Sequence, residues 1–230
     1  MRALRAALPA LAFAILCGCV NYSELKNVDI VAGMGVDSVP EGYALTIEIL
    51  DVSGSTDESA MNSKLVKSRG ATFANALESA RSQLSGNLYF GNTQIVIVGQ
   101  TLAEDEGVSQ FLEWLLSKPE IRETANMAVA RGTAEGVLAA KSADARVSAY
   151  SVIQLIDPQD GKREKSGVPL YRIAEAVNTP GKPLKLPLVI LRDDSGAGVK
   201  GEEGVKIIEL HGFALFDGDR LCGFSEGGAV

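Results

Sequence analysis

The side chains with the most definite chemistry in this chain are thiols: Cys17, Cys19 and Cys222. The run Leu16-Cys17-Gly18-Cys19 puts an aliphatic residue three positions before a cysteine and a small residue directly before it. This is the pattern of a bacterial lipobox. The thiol takes a diacylglycerol as a thioether, and the small residue lets the scissile bond enter a narrow peptidase site. Cleavage is expected between Gly18 and Cys19, with Cys19 as the lipid attachment residue. Cys17 follows Leu16, which is not small, and is the poorer acceptor. Arg2 and Arg5 precede an uncharged stretch from Ala6 to Val20 that contains Pro9. It is shorter than the roughly 20 apolar residues of a membrane-spanning helix and fits the core of a signal peptide. Residues 1–18 are therefore read as a lipoprotein signal peptide. An uncleaved anchor or a non-lipidated secretory signal is the plainer alternative, but the cysteine falls where the apolar core ends. Each buried methylene contributes about 0.8 kcal/mol, and two or more acyl chains hold firmly.

No other constellation supports chemistry of its own. Cys17 and Cys19 do not form a CxxC pair, and after processing at most Cys19 and Cys222 remain, which excludes a disulfide framework. The chain has one histidine, His211, so histidine-based metal sites are nearly ruled out. Gly33-Met34-Gly35 lacks the third glycine and the Lys-Ser/Thr of a phosphate loop and reads as strand geometry. Asp51, Asp57 and Glu58 do not have calcium-loop spacing. Ser151 is not part of a GxSxG elbow. Trp114 sits on an amphipathic stretch and reads as core. No catalytic residue, cofactor-binding set or metal ligand is assigned, and no enzyme activity is expected. The formal net charge of −7 argues against nucleic-acid binding and against charge-driven adhesion to anionic lipids.

Regular elements must position these residues. The chain has 230 residues, of which 46% are hydrophobic, enough for one ordinary domain or two small ones. Val28–Val36 reads as a strand. Residues 43–49 alternate and read as a half-buried strand. Ser53–Asp57 reads as a loop, and Ser59–Leu84 as a helix with Gly70 weakening its centre. Gln94–Val98 is a β-branched run expected to be covered on both faces. Thr101 and Glu104 read as a capping box opening a helix with Val108, Phe111, Leu112, Leu115 and Leu116 on one face. Asn126–Ala130 is a strand and Thr133–Ala140 a short helix. Val147–Ile156 could be either, Pro169–Val177 is a helix, and Leu186–Leu191 a strand. Residues 193–204, with Asp193-Asp194 and Glu202-Glu203, read as a linker. Residues 205–230 contain a hairpin turning at Asp217-Gly218-Asp219, which either completes the first domain or opens a second. This order fits α/β or α+β. We take α+β, with a mixed or antiparallel sheet and packed helices, as a lipid-anchored extracytoplasmic domain over residues 19–192.

Several segments carry a family resemblance. Asn21 to Asp37, and Ile30-Val31-Ala32-Gly33-Met34-Gly35-Val36-Asp37 within it, resembles the opening of the spore germination Ger(x)C lipoproteins, the C subunits of germinant receptors. Phe90-Gly91-Asn92-Thr93-Gln94, running through Gly99 to Leu102-Ala103-Glu104 and Gly107, is similar to that family's FGHTQ segment, with Asn92 in place of the usual His. Glu120-Ile121-Arg122 and Val129-Ala130-Arg131-Gly132 follow in the same order. Gly212-Phe213-Ala214-Leu215-Phe216 with Leu221-Cys222-Gly223 resembles the family's late hairpin, with Asp217 and Arg220 at positions where Lys is usual. The Tyr22 region lacks the common Trp-Asp. Family members usually continue into a further C-terminal domain. The resemblance implies a non-enzymatic protein with an α+β fold, lipid-anchored through Cys19 on the outer face of the spore inner membrane. It implies integral membrane A-type and B-type germinant receptor subunits as partners and assigns no ligand contacts. The alternative, a solute-binding lipoprotein of a transporter, predicts two balanced lobes around a cleft.

Overall fold

The computed structural model describes residues 28–51, 62–140, 146–159, 164–193 and 206–225. The signal peptide, Gly18, Cys19, the 53–57 loop and all of the 193–204 linker except Asp193 lie outside these residues.

The sheet starts from β1 (Val28–Val39), which turns at Pro40 and Glu41 into the antiparallel β2 (Gly42–Asp51). β3 (Asn62–Gly70) adds antiparallel to β2 as one edge. The short β4 (Asn87–Tyr89) runs parallel to the first residues of β1. On the other side of β1, β5 (Ile95–Gly99) and β6 (Asn126–Ala130) continue the sheet in parallel. β7 (Val168–Pro169) pairs with the start of β6, and β8 (Leu184–Asp193) runs parallel to β6. β9 (Lys206–Asp217) and β10 (Arg220–Ser225) close the other edge antiparallel. The order is β10-β9-β8-β6-β5-β1-β2-β3, with β4 and β7 beside it. The fold is therefore α+β with a mixed sheet: a parallel centre flanked by antiparallel pairs. The described residues form this one sheet, not the two balanced lobes that a solute-binding protein would show.

Helices cover both faces. Val96 and Val98 of β5 point to one face, Ile95 and Ile97 to the other, and all four are fully buried. The expectation of a strand covered on both faces is met. The first face is packed by α1 (Phe73–Arg81), α2 (Gln100–Asp105), α3 (Ser109–Leu116) and α6 (Leu170–Val177), through Phe73, Leu77, Leu102, Phe111, Leu115 and Ile173. The second face is packed by α4 (Ala134–Ala139) and α5 (Ser148–Ile156), through Val137, Leu138, Val152 and Ile156. Fully burying one such side chain contributes about 1.5–3 kcal/mol, so two helical layers give this sheet a substantial core.

Several local expectations change. The stretch expected to be one helix from Ser59 to Leu84 is an edge strand followed by a shorter helix. Leu65 and Val66 face opposite layers, as neighbours on a strand must. Lys64, Lys67 and Arg69 are the charges of an exposed sheet edge, a common guard against edge-to-edge pairing. Gly70 ends the strand, and Thr72 then caps α1, its hydroxyl accepting the Asn75 N–H at 3.1 Å. β2 is not half-buried, because α4 and α5 cover its second face and bury Thr46 and Glu48 as well. Thr101 is not a helix cap: α2 begins at Gln100, with Gly99 before it, and the Gln100 side chain bonds Glu104 at 2.8 Å. The single helix expected after Thr101 is two, and Leu116 is exposed. Val147–Ile156 is the region of α5, a helix.

The late hairpin joins the same sheet. β9 pairs with β8 from Leu184↔Phe216 to Asp193↔Lys206. Ala214, Phe216 and Leu221 enter the first-face core. The turn at Gly218 and Asp219 docks on the elbow between α2 and α3, where the Val108 N–H donates to the Asp219 carbonyl at 2.9 Å.

Candidate functional site

The most heavily built polar feature among the described residues lies between β1, β2 and the second helical layer. Asp37, near the end of β1, and Glu48, in the middle of β2, are both buried. Each is aimed at the first turn of a helix, where backbone N–H groups have no partner within the helix. The Asp37 carboxylate accepts the Ala134 N–H at 2.7 Å and the Glu135 N–H at 3.0 Å. Thr133 takes the next donor, the Gly136 N–H, at 3.1 Å. Glu48 accepts the Ser148 N–H at 2.9 Å on Oε1 and the Ala149 N–H at 2.7 Å on Oε2, and the Ser63 hydroxyl donates to Oε1 at 2.6 Å. The Ser148 hydroxyl donates to the Ala140 carbonyl at 2.6 Å, tying the start of α5 to the end of α4. Neither carboxylate has an ion-pair partner among the described residues. Their negative charge instead meets the positive ends of two helices.

Glycines make this approach possible. A Cβ at Gly33 would lie 2.6 Å from the Ala149 Cβ, and one at Gly35 would lie 3.0 Å from the Ala134 Cβ. A Cβ at Gly99 would collide with the Asp37 carboxylate. The Gly33-Met34-Gly35 motif is thus strand geometry, as expected, and its function is to admit two helix N-termini against β1. Burial pushes both carboxyls above their ordinary values of 3.8 and 4.5, while the backbone N–H donors, and Ser63 at Glu48, pull the other way. Oriented backbone donors occupy the oxygens, so the arrangement clamps helices to a sheet. It presents neither a free base nor a ligand cage. In the sequence Asp37 falls inside a motif and Glu48 on the polar alternation of a half-buried strand, and neither position announces this role. The available signal was an acidic residue flanked by Ile47 and Ile49 inside an otherwise apolar strand.

The other singled-out residues are dispersed. Gly18, Cys19, Asp57 and Glu58 are outside the described residues, while Asp51 is exposed at the end of β2. His211 is half-buried on β9. The Ser151 hydroxyl donates to the Val147 carbonyl of its own helix at 3.5 Å. Trp114 stacks on Phe111 with ring centroids 5.8 Å apart, packed against the core. Asn92 closes a short helical turn before β5, and its amide donates to the Tyr150 hydroxyl at 3.2 Å. Cys222 is a free, exposed thiol. The described residues contain no group of three or more His, Cys, Asp or Glu that could hold a metal, and no helix among them is long and apolar enough to cross a membrane.

A mixed sheet carrying two helical layers, one of them pinned by carboxylates from adjacent strands, defines an α+β domain whose motif residues serve architecture. The model of the spore germination protein N-terminal domain matches residues 21–191, and the chain belongs to that family. Spore germination protein KC of Bacillus subtilis (strain 168) is 25% identical over 94% of this chain and 57% of its own length. Putative spore germination protein YfkR of the same strain is 24% identical over 93% of this chain and 56% of its own length. The chain thus spans little more than half the length of these curated relatives. The crystal structure of the GerBC protein aligns over 84% of this chain and 51% of its own, with 14% identity and a TM-score of 0.38.

Proposed function

We propose that this chain is the lipid-anchored C subunit of a spore germinant receptor. In this reading residues 1–18 are a signal peptide cut after Gly18, Cys19 carries the lipid, and the domain sits on the outer face of the spore inner membrane. It acts without catalysis, beside the integral membrane A-type and B-type subunits, in nutrient-triggered germination. The hairpin at 206–225 belongs to the same folded domain as the strands before it. The observation that carries the proposal is the germination-domain match, which opens at residue 21, directly after the lipobox-like run ending at Cys19. The collinear motifs at Ile30–Asp37 and Phe90–Gly99 support it, because the fold uses them to anchor helices and to enter β5.

Replacing the thiol tests the anchor. Cys19→Ala leaves no site for a thioether lipid. The expected result is loss of the chain from the membrane fraction, with the circular dichroism and unfolding midpoint of the purified body unchanged. Membrane retention equal to that of the parent chain contradicts the anchor.

A further inference from the structure

The described residues expose five large hydrophobic side chains, and three of them gather near one end of the sheet: Tyr89 (50% exposed), Tyr171 (43%) and Leu116 (38%). This is the end at which the parallel strands begin. Tyr89 pairs with Ile30 in the first turnover of β1. The Tyr171 N–H donates to the Glu123 carbonyl at 3.1 Å and the Leu170 N–H to the Ala125 carbonyl at 2.9 Å, which sets the start of α6 beside the entry to β6. Leu116 closes α3, which packs against α6 and leads into the loop before β6. A cation lies beside one of these rings: the Arg172 guanidinium is 6.0 Å from the Tyr171 centroid. Glu123, whose carbonyl accepts the Tyr171 N–H, and its neighbour Arg122 share this end with Arg172, so both signs of charge border the tyrosine and the surface is amphipathic. The opposite end, where β1, β5 and β6 finish, exposes Glu41, Thr101, Glu104 and Arg131.

We infer that the end bearing Tyr89 and Tyr171 rests against the lipid bilayer, with the two tyrosine rings at the headgroup level. The inference rests on the proposed lipid attachment at Cys19. Eight residues lie between Cys19 and Val28, and the nine steps from one to the other span at most about 30 Å. The start of β1, and Tyr89 beside it, is therefore held close to the membrane. Tyrosine suits that depth, more so with a neighbouring Arg as at Tyr171, because the ring meets the acyl boundary while the hydroxyl and the cation stay with the phosphates. An amphipathic face bordered by both signs of charge needs no anionic lipid, in keeping with the chain's net charge of −7.

The test uses the full lipidated chain in the Cys222→Ser background, with a fluorophore on Tyr89→Cys, Tyr171→Cys or, at the opposite end, Glu41→Cys. Each is bound to phosphatidylcholine vesicles carrying a headgroup quencher. Fluorophores at 89 and 171 should be quenched severalfold more strongly than one at 41. Equal quenching at all three positions, with the chain retained on the vesicles, overturns the orientation and leaves the anchor standing. Protection of 89 and 171 only after integral membrane partners are added assigns the face to protein and also overturns it. A chain that is not retained at all removes the anchor, and the inference falls with it.

Discussion

Glu48→Ala is the substitution that most directly probes how the second helical layer is held. The change removes the acceptor of the Ser148 and Ala149 N–H groups and of the Ser63 hydroxyl. The hydroxyl can turn to another acceptor, but the two backbone donors at the start of α5 cannot. A buried donor left unpaired costs about 1–3 kcal/mol, which gives roughly 2–6 kcal/mol for the pair. Part of this is offset because the carboxylate is itself buried and desolvated, which also pushes its pKa up. A net loss of about 2–4 kcal/mol is expected. Urea unfolding followed by circular dichroism reads it. With a slope of about 2–3 kcal/mol per M, the midpoint should fall by about 0.7–2 M. Glu48→Gln keeps one acceptor oxygen and should fall by about half as much. A midpoint within about 0.2 M of the parent for Glu48→Ala would refute the idea that strand carboxylates hold the layer.

Two further outcomes follow from the same geometry. Asp37 and Glu48 both have carboxyl pKa values raised by burial. Such a group binds its proton more tightly in the folded than in the unfolded chain, so its contribution to stability is full below the unfolded value and is lost as pH rises through the folded one. The urea midpoint of the parent, relative to that of an Asp37→Asn/Glu48→Gln double variant, should therefore decline from about pH 4 upward; a relative midpoint that climbs over this range contradicts the direction. Ending the chain after Asp193 removes the burial of Ile208, Phe216 and Leu221, worth roughly 5–8 kcal/mol together, against a typical domain stability of about 5–15 kcal/mol. The shortened chain should lose its cooperative unfolding transition, and an unchanged midpoint would show that the hairpin is not part of the folding unit.

Segments whose local pattern and tertiary setting agree were legible in the sequence. The β-branched run of β5, the Asn126–Ala130 strand, the Thr133-capped helix and the hairpin turning at Gly218 each fall where pattern and turn chemistry put them. Local pattern and structure part where a long-range contact decides the outcome. Residues 62–70 carry enough Lys and Arg to look like the polar side of a helix, yet they are the solvated edge of a sheet, and no local signal announces an edge. Glu48 occupies a position that alternation assigns to solvent, because the helix that covers it begins 100 residues later in the chain. Gly33 and Gly35 were visible as a motif, but their purpose, the close approach of Ala149 and Ala134, needs the folded arrangement to be seen. Cys19 lies outside the described residues, and its proposed role as lipid acceptor rests on the linear pattern Leu16-Cys17-Gly18-Cys19.

Recovery of this chain's partners tests the central claim most directly. The full chain, tagged at its C-terminus and extracted from dormant spore membranes in mild detergent, should bring down two integral membrane proteins of the A and B types. Its own N-terminal peptide should begin at a lipid-modified Cys19. Recovery of the lone chain, with an unmodified cysteine and no membrane-embedded companion, would contradict the assignment as a lipid-anchored receptor subunit.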